Sequence, residues 1–245
     1  MSFDHSGQVA VITGAGSGIG RATARRLAAE GAAVAVWDID TAGAAATVAA
    51  IEADGGSVMA CAVDVRDRST IRAALDTTTT ALGPVTLLVN NAGVVTMSGL
   101  DDLTEEEWDL VLDVNLKGVW LVTQEVSRSM GQAGGSAIVN LSTVEADVVV
   151  SSTGAAQVHY NASKGGVKML TKALAVELAA RNIRVNCVAP GPVATDFVSL
   201  EGVTSEEAMA FMGQRLLVQR IGQPDDVAAA ISFLLSAEAS WISGV

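Results

Sequence analysis

The sequence predicts a single α/β domain: a doubly wound parallel sheet with helices on both of its faces. Short apolar runs rich in Val and Ile alternate with longer Ala-rich stretches along the 245 residues, and no linker or low-complexity tract interrupts them. The apolar runs are continuous rather than alternating in polarity, which is typical of strands buried on both faces. Strands that take turns with helices form parallel sheets, because each helix carries the chain back to the start of the next strand.

Six apolar runs are predicted as strands, and five stretches between and after them as helices. The strands are Val9–Thr13, Ala33–Trp37, Ser57–Val63, Leu87–Asn90, Ala137–Leu141 and Arg184–Ala189. The helices are Ile19–Glu30, Ala42–Ala53, Ser69–Leu82, Glu105–Met130 and about Gln157–Arg181. Ligands of such sheets bind at the carboxyl ends of the strands, near the point where the strand order reverses. We therefore expect the functional residues at those ends.

Composition argues against several classes of function. The 27 acidic and 15 basic residues give a formal net charge of -12, so the surface should repel nucleic acid. Charge or Gly interrupts every apolar run before the roughly 18 residues that a membrane span needs, and the N-terminus does not resemble a signal peptide. Cys61 and Cys187 lie in apolar stretches and are predicted to be buried, unpaired thiols, too few for a structural zinc site. We expect a cytoplasmic protein with no metal site.

The first strand leads into a glycine-rich loop, TGAGSGIG (13–20), from which a helix begins. Gly14, Gly18 and Gly20 let the backbone turn tightly and approach a pyrophosphate, and the helix N-terminus offers unpaired N–H groups. The second strand ends near Asp38, where an acidic side chain accepts a hydrogen bond from an adenosine 2′-hydroxyl and repels a 2′-phosphate. The loop supplies no Arg or Lys for such a phosphate. The pattern favours NAD over NADP; the alternative is that Asp38 only caps the next helix.

Further motifs follow in an order that resembles the short-chain dehydrogenase/reductases, in the branch with a Tyr-x-x-x-Lys pair. The motifs are TGAGSGIG (13–20), DV (64–65), NNAG (90–93), DVNLKG (113–118), YNASK (160–164), PGPVAT (190–195) and RIGQPDDVA (220–228). The resemblance covers nearly the whole chain. It implies a Rossmann-like oxidoreductase that uses a nicotinamide cofactor, for which Asp38 favours NAD.

The resemblance also implies which residues contact the cofactor. Asp64 and Val65 would contact the adenine, and Val193 and Thr195 the nicotinamide carboxamide. The complete expected set is Gly14, Ser17, Gly18, Ile19, Gly20, Asp38, Ile39, Asp64, Val65, Asn91, Ala92, Gly93, Tyr160, Lys164, Pro190, Gly191, Val193 and Thr195.

Tyr160 and Lys164 lie four residues apart, on one face of a predicted helix. A free tyrosine, with a pKa near 10, is only about 0.1% ionised at pH 7. To act as a base in alcohol oxidation it needs a lower pKa, and we expect the Lys164 cation and a positive nicotinamide ring to lower it by roughly 2–3 units. The resemblance adds Asn115 as a catalytic residue that would tie Lys164 to water through its helix backbone.

The segment from Leu141 to Lys164 contains several hydroxyls that could work with Tyr160. They are Ser142, Thr143, Ser151, Ser152 and Thr153. The family usually has a Ser where the fifth strand ends, and Thr143 occupies that place here, farther from Tyr160 than is usual. We predict Thr143 as the partner, because the sheet fixes a strand end and Thr offers the same donor and acceptor as Ser. Ser142 and the three later hydroxyls remain alternatives, as does a purely structural Thr143.

Three further expectations concern the surroundings of the site. His159 is predicted to be a surface or pocket-wall residue. The segment 195–220 is predicted to fold over the site, and its apolar side chains favour a small neutral alcohol or ketone as substrate. The family continues beyond ISG (242–244) into a last strand and tail, which this sequence, ending at Val245, is expected to lack.

The predicted function is the interconversion of a secondary alcohol and a ketone by hydride transfer to or from NAD. The alternative is a catalytically silent protein that binds NAD as a sensor or structural partner, which the missing Ser favours and Tyr160, Lys164 and Asn115 oppose. An enoyl reductase is disfavoured, because its pattern has a wider Tyr–Lys spacing. The resemblance also implies a homotetramer built through the helices around Asn115–Met130 and Gly166–Arg181.

Overall fold

The computed structural model describes residues 3–130, 135–149, 156–195 and 216–245. At its centre is one six-stranded sheet with the order β3-β2-β1-β4-β5-β6, in which every neighbouring pair is parallel. The strands are β1 (Val9–Thr13), β2 (Ala33–Asp38), β3 (Val58–Ala62), β4 (Leu87–Asn90), β5 (Ser136–Leu141) and β6 (Ile183–Val188). The order reverses between β1 and β4. The predicted fold class is confirmed, and each predicted strand agrees with the observed one to within one residue at either end.

Helices cover both faces of the sheet. Within the described ranges they are α1 (Gly18–Ala29), α2 (Thr41–Ala53), α3 (Arg68–Leu82), α4 (Glu105–Leu112), α5 (Gly118–Ser127), α6 (Val158–Ala179) and α7 (Pro224–Leu235). Along β1, Val9 and Val11 pack into the core under α3, α5 and α6, whereas Ala10 and Ile12 pack into the core under α1, α2 and α7. Both faces of the strand are therefore buried, which explains its continuous apolar sequence.

The third strand departs from the expectation of burial on both faces. β3 has only β2 as a neighbour, and its residues are half-buried or exposed. Cys61 on β3 is therefore half-buried rather than buried, and so is Cys187 on β6 at the other end of the six strands. Both thiols are unpaired, as predicted.

The predicted long helix Glu105–Met130 is interrupted. It consists of α4, a π-helical turn at Asp113–Lys117, and α5. At the end of the π turn the Gly118 N–H donates to the Asp113 carbonyl, five residues back. A Cβ on Gly118 would lie 2.8 Å from Val65 Cγ2, so glycine permits the close approach of this turn to the chain after β3. The extra residue in the turn changes the direction of the nearby side chains relative to a regular α-helix, and Asn115 is one of them.

The end of the chain runs beside β6. The Gly244 N–H donates to the Val185 carbonyl at 2.8 Å, and the Cys187 N–H donates to the Val245 carbonyl at 2.7 Å. Of the predicted covering segment, residues 196–215 lie outside the described part of the chain. None of the helices that the structure describes combines the length and the apolar character needed to cross a membrane.

Candidate active site

The glycine loop after β1 has the conformation that a phosphate-binding turn needs. Gly14 (φ 64°) and Gly18 (φ 50°) adopt left-handed backbone angles that favour glycine. A Cβ on Gly20 would lie 2.1 Å from the Gly14 carbonyl oxygen, so no side chain fits there. Ser17 is the N-cap of α1 but makes no capping hydrogen bond with its side chain. The first N–H groups of α1, including that of Ile19, therefore remain to bind an anion, and the loop fits the pyrophosphate of a dinucleotide.

Asp38 lies at the end of β2 and faces this loop. Its Oδ2 accepts from the Gly16 N–H at 2.6 Å, and its Oδ1 accepts from the Asp40 N–H at 2.8 Å. The cap of α2 is Asp40, whose carboxylate accepts from the Ala42 N–H. Asp38 is thus held against the loop instead of capping the helix, and Ile39 beside it is exposed.

A basic side chain that the sequence analysis did not consider also touches the loop. The Arg21 guanidinium donates to the Gly16 carbonyl and, through Nε, to Thr47 Oγ1 at 3.1 Å. Its position one residue after TGAGSGIG, in the first turn of α1, is the signal that could have drawn attention to it. Arg21 and Asp38 therefore contact the same residue of the loop with opposite charges.

The NNAG segment after β4 packs against the loop rather than standing apart from it. Asn91 Nδ2 donates to the Thr13 and Gly14 carbonyls at 3.0 and 2.9 Å, and the Ala92 N–H donates to Thr13 Oγ1 at 3.1 Å. A Cβ on Gly93 would lie 3.5 Å from Lys164 Nζ. This segment therefore reaches from the glycine loop to Lys164.

Two other predicted cofactor segments lie at the same edge of the sheet. Asp64, after β3, accepts from the Arg66 guanidinium, and these hydrogen bonds hold the pKa of its carboxyl below the usual range; Val65 is buried. Pro190 and Gly191 follow β6, Val193 pairs with Gly222, and a Cβ on Gly18 would lie 3.3 Å from Thr195 Cγ2. The segment from Pro190 to Thr195 therefore runs from the end of β6 to the glycine loop.

Tyr160, Lys164 and Thr143 meet where β5 ends. Thr143 lies near the Tyr160 phenol and acts to lower its pKa by hydrogen bonding, and Thr143 Oγ1 lies 3.4 Å from the Pro190 carbonyl oxygen. Lys164 Nζ donates to the Leu141 carbonyl at 2.9 Å and lies 5.9 Å from the centroid of the Tyr160 ring. Helix α6 supplies Tyr160 and Lys164, and the strand end supplies Thr143.

The acid–base properties of the pair differ from the expectation of a lowered Tyr160 pKa. The pKa of Tyr160 is raised to about 12, first by burial and second by the nearby Glu145 carboxylate, while hydrogen bonding by Thr143 acts in the opposite direction. Burial also lowers the pKa of Lys164 to about 8. The expected lowering is wrong for the protein's own groups, because desolvation of the buried phenol has the largest effect on its pKa. Tyr160 is therefore a phenol at neutral pH.

Asn115 is fully buried in the π turn and connects two parts of the site. Its Oδ1 accepts from the Val94 N–H at 2.8 Å, and its Nδ2 donates to the Val94 carbonyl at 2.9 Å and to Ser163 Oγ at 3.1 Å. Ser163 Oγ in turn donates to the Tyr160 carbonyl at 2.7 Å. Asn115 thus fixes the first turn of α6, and Ser163, which the sequence analysis missed, transmits this contact; its place between Tyr160 and Lys164 in YNASK was the available signal.

The other candidate hydroxyls are placed differently from Thr143. Ser142 Oγ donates to the Lys164 carbonyl at 2.9 Å, so it is directed at the backbone of α6. Ser151, Ser152 and Thr153 lie outside the described residues.

His159 is not a surface residue. It is fully buried, with Nε2 2.8 Å from Thr96 Oγ1, while Nδ1 has no hydrogen-bond partner in the part of the chain that the structure describes. Burial lowers the pKa of His159, and the Glu107 carboxylate acts in the opposite direction. A neutral imidazole beside Tyr160 therefore forms part of the interior wall behind the site.

Known proteins resemble the chain over almost its entire length. A family model described as enoyl-(acyl carrier protein) reductase matches residues 14–245. The 3-oxoacyl-[acyl-carrier-protein] reductase FabG of Thermotoga maritima is 40% identical over 238 residues, which are 97% of this chain and 94% of that protein. The D-threitol dehydrogenase of Mycolicibacterium smegmatis is 36% identical over 246 residues, 100% of this chain and 92% of that protein.

Solved structures also resemble the fold of this chain. A short chain dehydrogenase from Burkholderia cenocepacia, solved in complex with NADP, has a TM-score of 0.89 and 38% sequence identity, and the match covers 98% of this chain and 94% of that one. Sequence, fold and the order of the motifs agree. The protein belongs to the short-chain dehydrogenase/reductase family of oxidoreductases.

Proposed function

We propose that the protein interconverts a secondary alcohol and a ketone by hydride transfer to or from NAD, with Tyr160 as the proton-transfer group. The observation that carries the proposal is the placement of Thr143, Tyr160 and the buried Lys164 together where β5 ends. Two hydroxyls that converge on one point can hold a single oxygen atom. The nicotinamide supplies or accepts the hydride. The protein orients the substrate and moves the proton.

Each catalytic residue has a distinct role in this proposal. Tyr160 donates its proton to the oxygen of a ketone or removes one from an alcohol, and Thr143 hydrogen-bonds the same oxygen. Lys164 supplies positive charge next to the phenol and would bind the ribose of the cofactor. Asn115 acts as a positioning residue through Ser163, because its side chain reaches the backbone of α6 and not the reacting centre.

The names of two relatives support this reaction class. One is a reductase of 3-oxoacyl groups and the other a dehydrogenase of D-threitol, so both act on a carbon that bears a carbonyl or a hydroxyl group. Enoyl reduction, which the description of the family model names, is less well supported, because the spacing of Tyr160 and Lys164 is narrower than in that pattern. A silent NAD-binding protein is disfavoured by the complete set of Tyr160, Lys164 and Asn115.

The preference for NAD is supported by the position of Asp38. Its carboxylate is held against the glycine loop, where it would accept from a ribose 2′-hydroxyl and repel a 2′-phosphate. A solved relative contains NADP, and Arg21 is the nearest base to this loop that could bind a phosphate. In this chain Arg21 is directed at Gly16 and Thr47.

We further propose a homotetramer in the cytoplasm. Exposed apolar side chains on α5 and α6, such as Trp120, Met169 and Val176, are available for contacts between subunits. These helices are the ones that the family resemblance implicates in assembly. The acidic composition and the unpaired cysteines fit a reducing compartment.

Tyr160→Phe should retain NAD binding and lower kcat by a factor of roughly 10² or more, the scale expected for removing a general acid–base group. Turnover is measured by NADH absorbance with a panel of secondary alcohols, and binding by quenching of tryptophan fluorescence. Oxidation by the variant at a rate near that of the wild type would show that another group moves the proton. Binding of NAD without turnover of any alcohol by the wild type would favour the silent alternative.

Thr143→Val should lower kcat by about tenfold or more, whereas Thr143→Ser should keep most of it, because only the hydroxyl contacts the reacting oxygen. Both variants are compared with the wild type using one substrate. Ser142→Ala and Ser152→Ala serve as controls. A loss confined to either control variant would transfer the role from Thr143 to that residue.

The value of kcat/KM for NAD should exceed that for NADP at least about tenfold, the equivalent of one charge–charge repulsion of roughly 1.4 kcal/mol. Asp38→Ser combined with Ile39→Arg should narrow this ratio. Arg21→Met is the matched control, and its ratio should stay close to that of the wild type. Equal values for both cofactors, or selective loss of NADP use in Arg21→Met, would contradict the assignment to Asp38.

Lys164→Met should remove a pH-dependent cost of folding. Burial lowers the pKa of Lys164 to about 8 in the folded protein, whereas the unfolded chain titrates near 10.5. Between these values the unfolded chain binds more protons, so the stability of the wild type rises with pH relative to that of the variant. The difference in unfolding free energy should change by about 2–3 kcal/mol between pH 7 and pH 10, as measured by urea unfolding. A constant difference would mean that the amine is solvated.

A further inference from the structure

Glu145 lies in the turn that follows Thr143. It is the middle residue of a 3-10 turn, Val144–Ala146, that begins directly after Thr143. The Glu145 N–H donates to Thr143 Oγ1 at 3.3 Å, and the Ala146 N–H donates to the Thr143 carbonyl at 3.1 Å. The Val144 N–H donates to the Pro190 carbonyl at 3.0 Å, which ties the turn to the segment after β6. Thr143 therefore fixes the backbone of Glu145 beside the hydroxyl that contacts Tyr160.

The charge of Glu145, whose N–H donates to Thr143 Oγ1 at 3.3 Å, acts on the Tyr160 phenol. After burial, the charge of Glu145 is the second cause that raises the pKa of Tyr160. Glu145 is half-buried, and burial raises its own pKa. Among the residues that the structure describes, no side chain forms a hydrogen bond or ion pair with this carboxylate, whereas the exposed Asp147 two residues later is paired with Lys168.

A carboxylate in this position needs a hydrogen-bond donor once a substrate displaces the water around it. A half-buried charge without a partner costs free energy that one hydrogen bond recovers. The reacting oxygen occupies the place where the Thr143 and Tyr160 hydroxyls converge. A neighbouring part of the same substrate can supply that donor.

We propose that Glu145 determines specificity by accepting a hydrogen bond from a second hydroxyl of the substrate, on a carbon close to the reacting one. The enzyme would then prefer diols and hydroxyketones to simple alcohols and ketones. This inference rests on the proposed function and names the substrate class of the same site. A hydroxyl fits better than an ammonium group, because the Lys164 cation lies 5.9 Å from the Tyr160 ring centroid and repels a second positive charge.

Matched substrates test the inference directly. Cyclohexanol is compared with 1,2-cyclohexanediol and with 2-aminocyclohexanol, which carry the second group on the adjacent carbon. An acyclic set is compared in the same way: a butanol, the corresponding butanediol and the corresponding aminobutanol. The wild type should oxidise the diols with kcat/KM roughly ten- to hundredfold above the simple alcohols, the range expected for a hydrogen bond to a charged group. Glu145→Leu should bring this ratio close to one by slowing the diols alone, and Glu145→Gln should have an intermediate ratio.

The control is Asp147→Asn, which neutralises an exposed carboxylate of the same loop that is paired with Lys168. It should leave the ratio unchanged. Three outcomes would overturn the inference while the proposed function stands. The first two are that the wild type oxidises all alcohols with equal kcat/KM, or that it prefers the amino alcohol. The third outcome is that Glu145→Leu leaves the ratio of diol to simple-alcohol kcat/KM unchanged. If the wild type oxidises none of these alcohols, the proposed function fails and the inference fails with it.

A second measurement needs neither substrate nor cofactor. Tyr160 is the single tyrosine of the chain, so the absorbance of its phenolate reports its ionisation alone. The titratable groups that face it from the described elements are Glu145 of the turn and Lys164 of α6, and Cys187 of β6 interacts with Lys164. Glu145→Gln should ionise Tyr160 at lower pH than the wild type, and Asp147→Asn should not. Circular dichroism over the same pH range checks that the variants stay folded. If Tyr160 titrates identically in the wild type and in Glu145→Gln, Glu145 lies away from the site and the inference is overturned.

Discussion

The site depends on a buried cation that the end of a strand holds in place. Lys164 is almost completely buried, and its ammonium group donates to the Leu141 carbonyl where β5 ends. Leu141 is the last residue of β5 and lies one residue past the final pair of β5 with β4, Asn90 with Asn140. Ser142 binds the backbone of α6 at the same residue from the other side. The sheet, rather than a loop, therefore fixes the position of α6 and of Tyr160 on it.

The remaining contacts of the site connect α6 to the segment after β4 and hold the glycine loop after β1. Asn115 joins the segment after β4 to the first turn of α6 through Val94 and Ser163. This reach requires the π turn, in which the side chain is rotated relative to a regular helix. The glycine loop after β1 is held by Asn91 and Asp38, each of which contacts its backbone. These hydrogen bonds connect the ends of strands β1, β2, β4 and β5 at the edge of the sheet where the strand order reverses.

Much of this frame could be predicted from the sequence, because a buried parallel sheet has continuous apolar strands and because Gly, Asp, Tyr and Lys lie at informative spacings. What could not be predicted depends on tertiary contacts. The residues of the π turn, Asp113–Lys117, include no Pro or Gly that would mark a break in a helix; the turn is stabilised by the contacts of Asn115 with Val94. β3 has the composition of a central strand, but exposure is decided by the strand order, which composition does not encode.

The pKa of Tyr160 is a second case in which tertiary contacts decide the outcome. Spacing alone shows a cation four residues from a phenol and predicts a lowered pKa, whereas burial of both groups and the nearby Glu145 produce the opposite. Glu145 approaches Tyr160 because Thr143 caps the short turn after β5. No periodic pattern in the sequence relates Thr143 and Glu145 to Tyr160. The protein by itself thus keeps Tyr160 in its acid form. Ionisation then requires added positive charge near the ring, so any ligand that brings such charge to the site must bind more tightly as Tyr160 loses its proton.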